Sequence, residues 1–310
     1  MRAGLDATPL HASPGGLARY TVELHKALES EFPDDEFRLL ESRARRWWLV
    51  GLPRRLRRER FSVFHGTNFE VPYIPVVPSV MTIHDLSPWK RAPWQAASAR
   101  VRERTPWLLR LGLATMVVTP TEAIRREAIR HFHLEPGRVA VVPEAAASVF
   151  QPGGETVRNF LLCVGIGARK NNGVAETAAR ECGYELVVIG NGARDAGDVE
   201  LAQLYREAAA LLYPSHYEGF GLPVLEAMQS GTPVIASRDP AVMEVSGGAA
   251  LHADAQDASA WIAAVRSLGQ QRAELRERGL RRAAEFSWRR TAIGTREVYE
   301  EAMVRFRRTK

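Results

Sequence analysis

The chain has 310 residues, 45% of them hydrophobic and 25% charged, which suits one large or two ordinary α/β domains of a soluble globular protein. A formal net charge of +6 admits anionic partners such as nucleotides or an anionic membrane surface, and no apolar run approaches the roughly 18 residues of a membrane span. The two cysteines, Cys163 and Cys182, have no spacing that implies a disulfide framework or a zinc site.

Taken in chain order, short apolar runs alternate with amphipathic helical stretches. Met1–Asp6 lacks the apolar core of a signal peptide and reads as a first strand, Arg2–Asp6, which with the reducing-compartment cysteines points to a cytoplasmic protein. The stretch Ser13–Tyr20 follows; Gly15 and Gly16 let the backbone close on a phosphate where a helix opens. A strand at Phe37–Glu41 precedes Arg43–Arg60, where eight arginines surround Trp47, Trp48, Leu49, Val50 and Leu52. That mixture suits peripheral docking on an anionic inner membrane face, or an ordinary amphipathic segment; no nucleic-acid fold signature accompanies it, so nucleic acid is not expected as a partner. Strands at Val63–His65 and Val80–His84 each end in a histidine. Further strands are expected at Thr115–Thr119 and Val139–Val142, with Thr119 capping a helix through Glu122 and Pro120 in its first turn. Phe150–Glu155 reads as a linker, dividing a first domain (1–149 plus 288–310) from a second (150–287). The second carries strands at Phe160–Gly165, with Cys163 as a buried thiol, then Glu185–Gly190, Ala210–Tyr213, Pro233–Ala236 and Ala250–His252. Asp198 reads as a helix cap, and Ser287–Phe306 as a closing helix. Strands spaced by helices imply βαβ units and two parallel sheets, whose ligands sit at the carboxyl ends of strands.

The most informative run is His216–Ser237. Gly219 and Gly221 bracket a sharp turn, Pro223 suits the first turn of a helix, and the opening N–H groups of that helix favour an anion. Glu218 before the turn and Glu226 inside the helix are poor ligands for a phosphate but good acceptors for sugar hydroxyls. Upstream, Val164–Asn171 ends a strand and supplies two adjacent cations, Arg169 and Lys170. No Asp-x-Asp stands at a strand end, so neither a metal nor another cofactor is expected.

The sequence EGFGLPVLEAM followed by SGTPVIAS resembles the signature of family 4 glycosyltransferases, retaining enzymes of the GT-B fold. The resemblance implies two Rossmann-like domains facing across a cleft, with the last helix crossing back onto the first domain. It implies that the chain moves a hexose from GDP-mannose or a UDP-hexose to a hydroxyl of a glycan or lipid-linked acceptor, without a protein nucleophile. By residue, it implies that Arg169 and Lys170 grip the diphosphate, Glu226 holds the ribose, and Glu218 holds the hexose. The N–H groups around Gly219, Phe220, Gly221 and Leu222, with Gly15 and Gly16, meet sugar and phosphates. His84 reaches the transferred hexose; Asp85 orients it or faces the acceptor; His65 lines the acceptor side or is a satisfied structural residue. The chain departs from the family pattern after Gly190, where only Asn191–Gly197 separates strand from helix and a βα unit is missing. That shortening keeps two alternatives in view: a nucleotide-sugar-binding partner without transfer activity, and a sugar-nucleotide isomerase.

Overall fold

The computed structural model describes residues 1–11, 15–92, 98–154, 156–190 and 194–308. In chain order the elements are β1 (Arg2–Asp6), α1 (Gly16–Glu31), β2 (Glu36–Leu40), α2 (Leu52–Arg58), β3 (Val63–Gly66), β4 (Ser79–Thr82), α3 (Ala99–Arg110), β5 (Met116–Thr119), α4 (Glu122–Phe132) and β6 (Val139–Val141). Then come β7 (Phe160–Val164), α5 (Asn172–Glu181), β8 (Glu185–Ile189), α6 (Asp198–Glu207), β9 (Ala210–Tyr213), α7 (Leu222–Gln229), β10 (Val234–Ser237), α8 (Pro240–Ser246), β11 (Leu251–Ala253), α9 (Ala258–Ala283) and α10 (Trp288–Arg308). The strands form two wholly parallel sheets, one ordered β2-β1-β3-β4-β5-β6 and the other β11-β10-β9-β7-β8.

The contacts divide the chain into two units. The first comprises Met1–Lys90, Ala96–Glu144 and Trp288–Lys310; the second is built on Ala145–Ser287. In the first, β3, β4 and β5 are buried at every position, as a parallel strand covered by helices on both faces requires. The closing helix α10 lies in this unit, as the crossing-back expectation has it. Its buried Thr291, Ala292, Thr295, Val298, Tyr299 and Ala302 form a stripe at helical spacing, and Ala292, Val298, Tyr299 and Ala302 of it join one core with Leu5, Tyr20, Leu24, Val63 and Val80. Thr291 Oγ1 donates to Pro143 O at 2.7 Å and Arg296 Nε to Asp35 at 2.8 Å.

The second unit has its own cores on the two faces of its sheet, one around Phe150, Tyr205, Phe220 and Leu225 and one around Cys163, Leu212 and Trp261. Phe150, expected in a linker, is fully buried here because its ring packs edge-on to Tyr205, 5.7 Å between centroids. Two helix starts also differ from expectation. Thr121, not Thr119, caps α4: its Oγ1 accepts from Ile124 N at 3.3 Å, while Thr119 Oγ1 turns back to Thr121 O. Gly197 precedes α6 and Asp198 is its first residue, where its charge favours the helix dipole without capping. Among the described residues β8 is one edge of the second sheet, with three half-buried aliphatic residues, Leu186, Val187 and Val188; residues 191–193 of the expected short connection lie outside the described residues.

Candidate active site

The second unit gathers charge at the carboxyl ends of β7 and β9. Past β7 the chain passes through Gly165 at φ +97°, where a Cβ would stand 2.7 Å from Lys170 Cε. Glycine therefore leaves both the backbone turn and the room into which Lys170 folds back. Lys170 N donates to Gly167 O and His216 N to Arg169 O, each at 2.9 Å, which ties the cation pair to the loop after β9. Lys170 Nζ donates to Glu218 Oε1 at 2.6 Å and to the Tyr213 hydroxyl at 2.8 Å, and lies 4.7 Å from the centroid of the Tyr213 ring. Arg169 Nη2 is 3.9 Å from Glu218 Oε2.

Glu218 is buried, and burial alone would raise its pKa; Lys170 and Arg169 outweigh it and hold the carboxyl below the usual carboxylate range. The opposite holds for Asp239, which burial pushes up to about 6, with the Glu218 charge adding to it. Asp239 accepts from Ala241 N and Val242 N at the start of α8, and its other oxygen lies 3.4 Å from Glu218 N. It positions the Glu218 backbone, and it takes up a proton only as pH falls to about 6 and below. Burial also pushes the Tyr213 phenol well above its ordinary value, so it meets Lys170 as a neutral acceptor.

Directly after Glu218, the expected turn is in place. Gly221 at φ +95° precedes α7, Leu222 opens the helix and Pro223 occupies its first turn. Phe220 is buried edge-on to Phe286, 5.8 Å between centroids, and Gly219 lies between it and Glu218. Glu226 is only 1% exposed, and one oxygen accepts from the Tyr205 hydroxyl at 3.0 Å. Arg169, Lys170, Glu218 and the Gly219–Leu222 turn thus fall together, with Glu226 one helical turn inside.

In the first unit, Gly15 and Gly16 begin α1, exposed and without a side-chain cap; Ser13 and Pro14 of the same stretch lie outside the described residues. His84 Nδ1 is 3.0 Å from Glu144 Oε1 and Nε2 is 2.8 Å from Thr67 O. Thr67 O and a Glu144 carboxylate are both acceptors, an arrangement that suits a ring donating from both nitrogens, the imidazolium. Burial opposes that charge, yet Glu144 prevails and holds His84 above its usual pKa. Asp85 accepts from Ser87 N at 2.8 Å and shapes the following turn. His65 takes the second of its two expected roles: it is fully enclosed, Nδ1 2.8 Å from the Tyr299 hydroxyl and Nε2 2.7 Å from Thr82 Oγ1, and burial pushes its pKa down to about 3, with the His84 charge adding. Sequence reading missed Tyr213, Asp239 and Glu144. Asp239-Pro240 is a legible helix start; nothing local marks Glu144, whose role arises only from its approach to His84. Among the described residues no group of three or more His, Cys, Asp or Glu side chains is disposed to hold a metal ion, and no helix is long and apolar enough to cross a membrane.

Residues 139–285 match the family model described as "Glycosyl transferases group 1", and residues 14–146 match "Glycosyltransferase Family 4". Over 86% of this chain and 79% of the other, the sequence is 29% identical to the O-antigen chain mannosyltransferase B of Escherichia coli. A shorter match, 40% identical over 36% of this chain and 27% of the other, is to the D-inositol 3-phosphate glycosyltransferase of Saccharomonospora viridis. Among solved structures, the sucrose-phosphate synthase of Thermosynechococcus elongatus superposes with a TM-score of 0.74 at 17% identity, covering 98% of this chain and 99% of that one. The Anabaena protein Alr3699/HepE, solved with UDP and glucose, superposes with a TM-score of 0.71 at 14% identity, covering 97% and 100%.

Proposed function

The chain belongs to the family 4 glycosyltransferases of GT-B fold, and from that membership we propose that it transfers a hexose, with retention and without a metal ion, from a nucleotide diphosphate sugar to a hydroxyl of a glycan or lipid-linked acceptor. The observation that carries the proposal is the Lys170–Glu218 pair past the ends of β7 and β9, backed by Tyr213 and flanked by Arg169 and the Gly221 turn. In glycosyl transfer the departing diphosphate gains charge, and fixed cations and N–H groups in a partly desolvated site stabilise it. Arg169, Lys170 and the opening of α7 are those groups. Glu218 takes the hexose hydroxyls, and Glu226, with one oxygen fixed by Tyr205, takes the ribose hydroxyls. His84 is assigned to the transferred hexose; the assignment requires its Nδ1–H to pass from Glu144 to a sugar hydroxyl. The acceptor proton goes to the donor phosphate on the face that the acceptor attacks.

The name of the Escherichia coli relative favours mannose, and GDP-mannose is the first donor to try; the neighbour solved with UDP and glucose keeps a UDP-hexose as the second. We place the protein in the cytoplasm at the inner membrane face, with the arginines of Arg43–Arg60 toward anionic lipid. The test is release of GDP or UDP from each donor in the presence of extracted lipid-linked glycans, with and without chelator, and NMR of the product anomer. Turnover lost in Glu218→Gln and Lys170→Ala, unchanged by chelator, supports the proposal. Binding of donor with no turnover against a broad acceptor panel supports the non-catalytic reading, and conversion of the donor without acceptor supports an isomerase.

A further inference from the structure

In the first unit, four large apolar side chains that remain exposed stand beside arginines. On α3 the residues Thr105, Leu108 and Leu109 face the core, and Arg100, Arg104, Trp107 and Leu111 follow one another at helical spacing on the other face. Trp107 is 60% and Leu111 66% exposed, and the Arg110 guanidinium sits 5.9 Å from the Trp107 ring. Tyr73 connects this face to the arginine-rich segment: Arg104 Nη1 donates to its hydroxyl at 2.8 Å, and Tyr73 N donates to Trp48 O at 3.0 Å. The neighbours of that last bond, Leu49 and Ile74, are 46% and 45% exposed. Arg43, Arg45, Arg46, Arg54, Arg57 and Arg60 are exposed and have no carboxylate partner among the described residues. Of the acidic groups near the face, Glu70 is paired with Arg100 at 2.9 Å, and Glu103 is exposed.

The tryptophans of the arginine segment do not supply this apolar surface. Trp47 is buried with Leu40, Leu52, Leu56, Phe61 and Phe64, and Trp48 packs against them. The exposed ring belongs instead to Trp107. Guanidinium groups alone would suit any polyanion, but Leu49, Ile74 and Leu111 gain nothing from a nucleic-acid backbone. They gain from an acyl boundary, where an indole and aliphatic side chains enter the lipid while arginines meet the phosphates. We infer that this face, with Trp107 and Leu111 as its inserted tip, is the surface by which the chain lies on an anionic lipid bilayer. The inference rests on the membrane reading above and goes beyond it by naming the apolar contact.

The test is sedimentation of the full chain with vesicles of phosphatidylcholine alone and with phosphatidylglycerol added. Wild type should bind the anionic vesicles, and Trp107→Ala/Leu111→Ala should bind about tenfold less while melting at the wild-type temperature. With brominated acyl chains, wild-type tryptophan fluorescence should be quenched and Trp107→Phe should lose most of that quenching. If wild type sediments with neither vesicle, the membrane reading and this inference fall together. If wild type binds and the double variant binds equally, or quenching survives in Trp107→Phe, this inference is overturned while the arginine-segment reading stands.

Discussion

Glu218 and Asp239 are neighbouring buried carboxyls with opposite responses to pH. The folded pKa of Glu218 is held below its unfolded value, so its stabilisation is present above the ordinary carboxylate range and lost as pH falls through the folded value. Asp239 is pushed up to about 6, so the folded protein holds a proton that the unfolded chain releases earlier. Stability therefore falls as pH rises from about 4 to 6, by about 3 kcal/mol when complete. Asp239→Asn keeps a helix-capping side chain without the charge. Its melting temperature should change less between pH 4 and 7 than that of wild type; an equally steep profile would show that another group is responsible. The cation beside this pair permits a cleaner separation of charge from position. On the proposed assignment, Lys170→Ala removes leaving-group stabilisation and should lower transfer about a hundredfold or more. Gly165→Ala keeps every charge but drives a methyl against the Lys170 stem and strains a left-handed backbone, so it should also lower kcat, with the protein still folded. Unchanged kcat in both variants would remove Lys170 from the chemistry.

At the scale of elements, α10 is held to β3 and β4 through His65. Tyr299→Phe leaves His65 Nδ1 buried without its partner and should cost about 1–3 kcal/mol in urea unfolding. How much of this was legible in the chain depends on the range of the interaction. The strands were readable because parallel strands buried on both faces are short apolar runs: β1 and β9 lie where the apolar pattern places them, and other boundaries moved by a residue or two. The cation pair and the Gly221 turn were readable because Arg169-Lys170 and Glu218–Glu226 are contiguous in sequence. The cap of α4 was misplaced because two threonines flank Pro120 and sequence alone does not say which one turns toward the helix. Tyr213, Glu144 and the partners that enclose His65 were hidden for a different reason. Tyr213 meets Lys170 across 43 residues, His84 meets Glu144 across 60, and His65 meets Tyr299 across 234, and no local pattern records such approaches.

At the scale of the molecule, the two units have separate cores, so acid acting through His65 and nucleotide held as proposed at Lys170 and Glu226 should act on different parts of the chain. Burial pushes His65 down to about 3, and its neutral imidazole is stable only while the unfolded state is neutral too. As pH falls below about 6.5 the unfolded chain takes up a proton that the folded one refuses; between pH 6.5 and 5 this removes about 2 kcal/mol. The loss belongs to the first unit, where His65 joins β3, β4 and α10. Nucleotide binding at Lys170 and Glu226, as proposed, should act in the other direction and on the other unit: at a hundredfold excess over Kd it would add about 2.7 kcal/mol to the state that binds. Hydrogen exchange resolves the two effects by segment. GDP or UDP should slow the amides of β7, β9 and α7 at neutral pH, and a shift to pH 5, after correction for the intrinsic exchange rate, should speed those of β3, β4 and α10. His65→Gln should blunt the acid response without altering the nucleotide response. If nucleotide instead protects the amides around His65 and leaves those around Gly165 and Gly221 unchanged, the donor is held by the first unit and the assignment of Lys170, Glu218 and Glu226 fails.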